Sequence, residues 1–366
     1  KLTAEYFIDC TGDGTIGALA NIPFNMGQES RETYNEDIAP KQANNNTFGN
    51  TVFFYTKKVD KPVKYVPPDF AFSMEQVEQM IGGGGRIVNE TMNGCDYWWF
   101  ETGGKKNTIS DFDNISFELK QLVLGVWNYI KNSGKFDADN LTLEWIGNVP
   151  GKRESRRMIT EKILTQKDVI EPKKIDDGAF YGGWYLDFHP SDGVNTDEEF
   201  CNQIPVHIYP IPFGTLYNKK CKNLLFAGRD IGTSHVAFAS TRIMNTCALS
   251  GQAASTLCAV LMDHSKNVDE ITDTIIKESQ KVLIKNDVFI PFINNKDVDD
   301  LAQTAKIDTS DIFNGNTKEN GNKIDISNEF FMVIPPTKES IYILMDASEE
   351  TEIQYNCYPA SLPSRK

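Results

Sequence analysis

Residues 223–262 read NLLFAGRDIGTSHVAFASTRIMNTCALSGQAASTLCAVLM. Leu224, Leu225, Phe226 and Ala227 form an unbroken apolar run that stops at Gly228, as expected of a strand buried on both faces of a parallel sheet. From Ser240 onward, Met244, Cys247, Gly251, Ala254, Cys258 and Met262 recur at steps of three and four, which predicts a helix. Gly251, Ala253, Ala254 and Ser255 strip that helix of bulk, so a close neighbour is expected there. Ser240 is the expected N-cap, and the free amides and positive end behind it would face the turn 228–235, where they can stabilise an anion. Two readings stand at this level. The strand and helix either pack together and nothing more, or they form the floor of a bound cofactor, since chemistry in such sheets gathers at the carboxyl ends of the strands.

Three further segments flank this one. They are FIDCTGDGTIGALA (7–20), PGKRESRRMITEKILTQKDV (150–169) and GGWYLDFHP (182–190), with IPFGTLYNKKC leading into the first from residue 211. In order and spacing the four resemble the FAD-dependent oxidoreductases of the group from gut bacteria that often carries a xanthan-lyase-related label. The resemblance spans about two thirds of the chain. It implies an α/β fold, α+β overall: a partial FAD-binding, Rossmann-like three-layer domain, an inserted mixed substrate domain and a small C-terminal β module. It also implies FAD as cofactor. Thr11 and Gly12 would approach its adenosine side through backbone contacts, and Arg229, Asp230 and Arg242 would position the ribityl chain or ring edge. Asp13, Gly228, Ala237 and Ser240 complete the expected cofactor contacts.

Members of the family open with a βαβ unit whose G-x-G-x-x-G cradles the FAD pyrophosphate. That unit would lie well before Phe7, and the chain is expected to lack it. Gly12 to Gly17 spells a literal G-x-G-x-x-G after an expected strand at 5–9, but the dinucleotide fingerprint needs a second strand ending in an acidic residue about 20 positions on. Residues 25–37, NMGQESRETYNED, are polar and show no strand pattern, so 10–14 reads as the later motif, where the chain returns along the FAD. The tetraglycine 82–85 follows a helical stretch (73–80) and lacks the Lys-Ser/Thr of a phosphate loop, which makes it a turn.

Composition narrows the class. A formal net charge of −14 argues against general nucleic-acid binding, and no apolar run reaches the roughly 20 residues of a membrane helix. Seven cysteines are scattered without a C-x-x-C pair, so neither a metal site nor a disulfide framework is expected. Sequons at Asn45, Asn89, Asn114 and Asn140 are read as chance in an Asn-rich chain. The compartment is left open between periplasm and cytoplasm, and so is the oligomeric state.

For organisation, residues 1–22 and 205–263 are expected to be two returning pieces of the flavin domain. Residues 23–204 would form the substrate domain, with strands at 51–55 and 97–100 and an amphipathic helix at 115–131. Trp98, Trp99 and Phe100 are strand core or a platform that stacks on a sugar or flavin edge. Residues 264–313 read as a helical segment (268–283 and 298–306). After a loop at 314–322, strands at 329–334, 340–345 and 352–355 would build the β module at 314–366.

The chemistry rests on few polar residues. In an extended run, Arg153 and Arg157 would share one face and Glu154 and Arg156 the other. The arginines would clamp a carboxylate or stabilise reduced flavin, or the run is a solvated charge cluster with an internal Arg–Glu pair. Asp187 and His189 flank Phe188, so on a strand they share a face. There a carboxylate fixes the imidazole tautomer and raises its basicity, as suits a general base. His235, just before the small-residue helix, is the second base candidate, and His207 and His264 are taken as structural. The function expected is hydride transfer from an organic, carbohydrate-derived or other small-molecule substrate to FAD, with Arg153, Asp187, His189 and His235 as the catalytic group. The alternative is a polysaccharide-associated binding protein that has lost flavin binding and uses the aromatics around Trp98.

Overall fold

The computed structural model describes residues 1–81 and 85–306. The chain divides into two units, Lys1–Asn295 and Lys296–Lys366. In the second, the described part holds a short 3-10 turn, Leu301–Gln303, capped by Asp300 on the Ala302 amide at 2.9 Å; this stands where a helix was expected at 298–306. The expected loop at 314–322 and the three C-terminal strands lie outside the described residues. Of the tetraglycine only Gly85 is described.

The protein is α/β, with helices packed around small sheets. Strand β1 (Phe7–Asp9) runs parallel to β12 (Leu224–Phe226), pairing Phe7 with Leu224 and Asp9 with Phe226. The expected buried strand is present: Leu225 and Phe226 are fully buried. The other ladders are antiparallel. They pair β2 (Phe24–Asn25) with β7 (Arg157–Met158), β3 (Asn50–Thr51) with β5 (Glu101–Thr102), β4 (Phe54–Lys58) with β6 (Leu141–Ile146), β8 (Gly178–Gly182) with β11 (Tyr209–Pro212), and β9 (Leu186–Phe188) with β10 (Asn202–Ile204). Between them run α1 (Thr15–Leu19), α2 (Arg31–Tyr34), α3 (Met74–Ile81), α4 (Phe112–Asn132), α5 (Gln166–Ile170), α6 (His235–Thr241), α7 (Met244–Asp263) and α8 (Asp273–Lys285). No helix of the described residues is long and apolar enough to cross a membrane.

The strand after α1, β2, pairs antiparallel with β7 and not with β1, which runs parallel to β12, so among the described residues β1, α1 and β2 do not form a parallel βαβ unit around this G-x-G-x-x-G.

Two buried clusters organise the first unit. One joins β1, β12, α6, α7 and α8 through side chains such as Phe226, Ile231, Phe238, Leu257 and Leu283. The other is aromatic: Phe54, Tyr97, Phe100 and Trp127 pack with Leu119, Leu122 and Val126 of α4. Helix α4 buries its apolar face by the spacing the sequence shows. It also places Asp113 in its first turn and Lys131 in its last, which complements the helix dipole.

Several expectations are corrected. The helix expected from Ser240 is two helices, because Ile243 is extended (φ −70°, ψ 139°) and separates α6 from α7. Ser240 is not a cap. It lies inside α6, donates to the Trp184 carbonyl at 2.6 Å and accepts from the Tyr209 hydroxyl at 2.7 Å. The cap of α6 is Ser234, whose Oγ accepts from the Ala237 amide at 3.1 Å. Residues 97–100 are not a strand. Asn93 and Asp96 form a capping box that turns Gly94–Tyr97 into a 3-10 helix, and β5 begins only at Glu101. The strand expected at 51–55 splits into β3 and β4, and the helix expected at 268–283 into a 3-10 turn, Val268–Glu270, and α8, capped by Thr272.

Candidate cofactor and catalytic site

At the carboxyl end of β1, Asp9 is fully buried and folds the next residues back on itself. It accepts from the Thr11 amide (3.0 Å), the Thr11 hydroxyl (2.7 Å) and the Gly17 amide (2.9 Å). Gly12 takes φ +73°, and a Cβ there would lie 2.5 Å from Arg229 Nη2. Glycine therefore supplies both the left-handed turn and the room for the guanidinium. Lys152 pairs with Asp13 at 2.7 Å and lies 4.8 Å from the Phe112 ring centroid. Thr11, Asp13, Lys152, Phe112 and Arg229 line an open cleft of about 410 Å³.

At the carboxyl end of β12, Gly228 (φ +107°) donates its amide to Ser250 Oγ at 2.8 Å. Asp230 follows, fully buried, and among the described residues no other residue hydrogen-bonds to either carboxyl oxygen. Burial first, and then the nearby Asp9 charge, push its carboxyl well above the usual range. Arg229 Nη1 and Asp13 Oδ1 are buried without a partner as well. Among the described residues, a Cβ at Gly251 would meet no atom within 4 Å.

A second set of polar groups lies around Phe48. Asp187 Oδ2, in β9, and His189 Nε2, just past its end, are 3.0 Å apart. His189 Nδ1 is 2.7 Å from Glu101 Oε1, to which Arg153 also pairs at 2.8 Å, while Arg242 pairs with Asp187 Oδ2 at 2.8 Å. Burial alone would raise Asp187, but the hydrogen bond and charge of His189, then Arg242 and Gln203, hold it at about 2. Burial and the Arg153 charge bring Arg242 down to about 10. Next to this chain, Glu154 pairs with Arg157, accepts from the Phe48 amide at 3.0 Å and faces His235 Nδ1 at 2.9 Å. Arg157 also reaches Glu29 at 2.7 Å, and Glu29 in turn accepts from the His235 amide at 2.9 Å. The Phe48 ring lies 4.7 Å from the His235 ring and 6.0 Å from that of His189.

A family model described as FAD dependent oxidoreductase matches residues 1–283. The chain belongs to this family. Neither the curated proteins nor the solved structures give a significant match. The family is one of oxidoreductases that use FAD, and the arrangement of the expected residues bears on how this member would do so.

The structure sorts those residues into two places. Thr11, Gly12, Asp13, Gly228, Arg229 and Asp230 collect at the ends of β1 and β12. Arg153, Asp187, His189, His235 and Arg242 collect around Phe48, with Arg242 paired to Asp187 and its guanidinium 5.2 Å from the Phe48 ring centroid. Ala237 and Ser240 are fully buried in α6. The alternation expected for 153–157 is overturned: the run before β7 is irregular, and Glu154 turns to Arg157. The pair is internal, as the plainer reading had it, but fully buried where a solvated cluster was expected. The aromatic platform is core: Trp99 and Phe100 are buried, and the Trp98 ring packs edge-on to His189 at 5.4 Å. Sequence reasoning missed Glu101, Glu29 and Phe48. Glu101 directly follows the aromatic run 97–100, and a carboxylate adjoining so apolar a segment was the available signal.

Proposed function

We propose that the protein binds FAD across the ends of β1 and β12 and transfers a hydride to it from an organic alcohol, a neutral carbohydrate-derived polyol being the class the site suits best. The observation that carries this reading is Asp230: a fully buried carboxyl with two unpartnered oxygens at the carboxyl ends of two parallel strands. Such a group is costly in a fold unless a ligand completes its hydrogen bonds. A hydroxylated chain such as the ribityl group of FAD can hydrogen-bond with such a carboxyl. Arg229 and Asp13 add unpartnered atoms beside it, and the left-handed turn at Gly12 brings backbone close to the same edge. In this reading 1–22 and 205–263 form the flavin side and 23–204 the substrate side.

When bound, FAD supplies the two-electron acceptor. The chain supplies the rest: Asp230, Arg229 and the 10–14 turn hold the cofactor, a buried histidine takes the substrate proton, and the ion pairs around Phe48 fix the histidine rings. Arg153, Arg157 and Arg242 are already paired with Glu101, Glu29, Glu154 and Asp187, so the site favours a neutral substrate over a carboxylate. The test is anaerobic mixing of the FAD-loaded protein with neutral sugars and sugar-derived alcohols. Bleaching of the visible flavin absorption by a member of the panel is expected; bound flavin that no member bleaches contradicts this substrate class.

A further inference from the structure

The two buried histidines spend their ring nitrogens differently. His189 faces a carboxylate oxygen with each: Glu101 at Nδ1 (2.7 Å) and Asp187 at Nε2 (3.0 Å). The carboxylates are held from behind by Arg153 and Arg242, and Trp98 and Phe48 pack edge-on to the ring at 5.4 and 6.0 Å. No ring nitrogen of His189 is left to touch a ligand. His235 has one nitrogen engaged, Nδ1, at 2.9 Å from Glu154 Oε1. Glu154 already receives Arg157 and the Phe48 amide, so its carboxylate acts as acceptor and the Nδ1 side must carry the hydrogen. Nε2 has no hydrogen-bond partner among the described residues.

We propose that His235 Nε2 is the atom that takes the substrate proton, with Glu154 as the positioning residue that fixes the Nδ1–H tautomer; His189 is excluded as the base. This rests on the flavin reading above. In the step, the hydroxyl proton would pass to Nε2 and the O–H electron pair would close the C=O bond, with the carbinol hydride going to the two-electron acceptor that FAD would supply. The imidazolium so formed is stabilised by Glu154, as a carboxylate behind a histidine does in other acid–base pairs.

Ring-nitrogen NMR on histidine-labelled protein tests this without substrate. The chain has four histidines; the exposed His207 and His264 are removed as His207→Gln and His264→Gln, which leaves the two buried rings to read. At about pH 8 the His235 ring should show Nδ1–H with a bare Nε2, and Glu154→Gln, which can donate as well as accept, should move the signal toward Nε2–H. A wild-type His235 protonated at Nε2, or a tautomer indifferent to Glu154→Gln, overturns the assignment. FAD added to the same sample separates the two ideas. Flavin binding with an Nε2–H ring rejects only the base, whereas the expected tautomer without flavin binding rejects the flavin reading and leaves the Glu154–His235 pair standing.

Discussion

Asp187 and Asp230 are both buried aspartates, and their surroundings are opposite. Asp187 sits in the charged chain around Phe48 with His189, Arg242 and Gln203 on its oxygens. Asp230 stands at the edge of the β1–β12 pair, and among the described residues no other residue bonds to either of its oxygens. Against burial, its partners hold the first carboxyl at about 2, while burial and the Asp9 charge raise the second well above the usual range. The contrast teaches that burial of charge does not by itself mark a ligand site. What separates the two is whether the carboxyl is answered: both Asp187 oxygens have partners, and neither Asp230 oxygen has another residue bonded to it among the described residues.

The comparison breaks most visibly where the charged region loses a cation. Arg157 is fully buried between Glu154 and Glu29. Arg157→Leu strands both carboxylates, and denaturant unfolding should show a loss of about 3–5 kcal/mol. Acid titration separates the two aspartates by sign. Asp187 has a folded value below its unfolded one, so its stabilisation is present above about pH 4 and is lost as pH falls toward 2, on the order of 2 kcal/mol in all. Asp187→Asn should remove that slope from the unfolding free energy. Asp230 has a raised value, so its contribution is fully present below the unfolded value and is lost as pH rises above about 4.

Asp230→Leu should therefore stabilise the flavin-free protein at neutral pH, by about 1–2 kcal/mol in the same unfolding assay, because an unpartnered polar group leaves the interior. The smallest effect is expected at Ser250, whose hydroxyl holds the Gly228 amide. Ser250→Ala should cost about 1 kcal/mol and loosen the turn without unfolding it.

Local pattern carried part of this arrangement. The apolar run 224–227, the periodicity of α4 and the small-residue spacing of α7 were legible because each depends on neighbours within one element. So was the closeness of Asp187 and His189, though β9 ends at Phe188 and His189 lies just past it. The helix break at Ile243 was not, since 240–262 reads as one periodic run, and Ser240 turned out to serve Tyr209 and Trp184 from inside α6. The partners of the two histidines were hidden for a different reason. Glu101 lies 88 positions from His189 and Glu154 lies 81 from His235, and no local rule brings them together. Asp230 could be named from its motif, but that its oxygens stand alone is a property of packing.

The most direct test of the flavin floor is a titration of the purified protein with FAD, followed by quenching of flavin fluorescence, alongside Asp230→Leu. Saturable binding by the wild type, weakened about tenfold or more in a folded Asp230→Leu protein, is the expected result. A wild type that does not bind FAD, or a variant that binds it equally well, would contradict the assignment of the β1–β12 edge as the cofactor site.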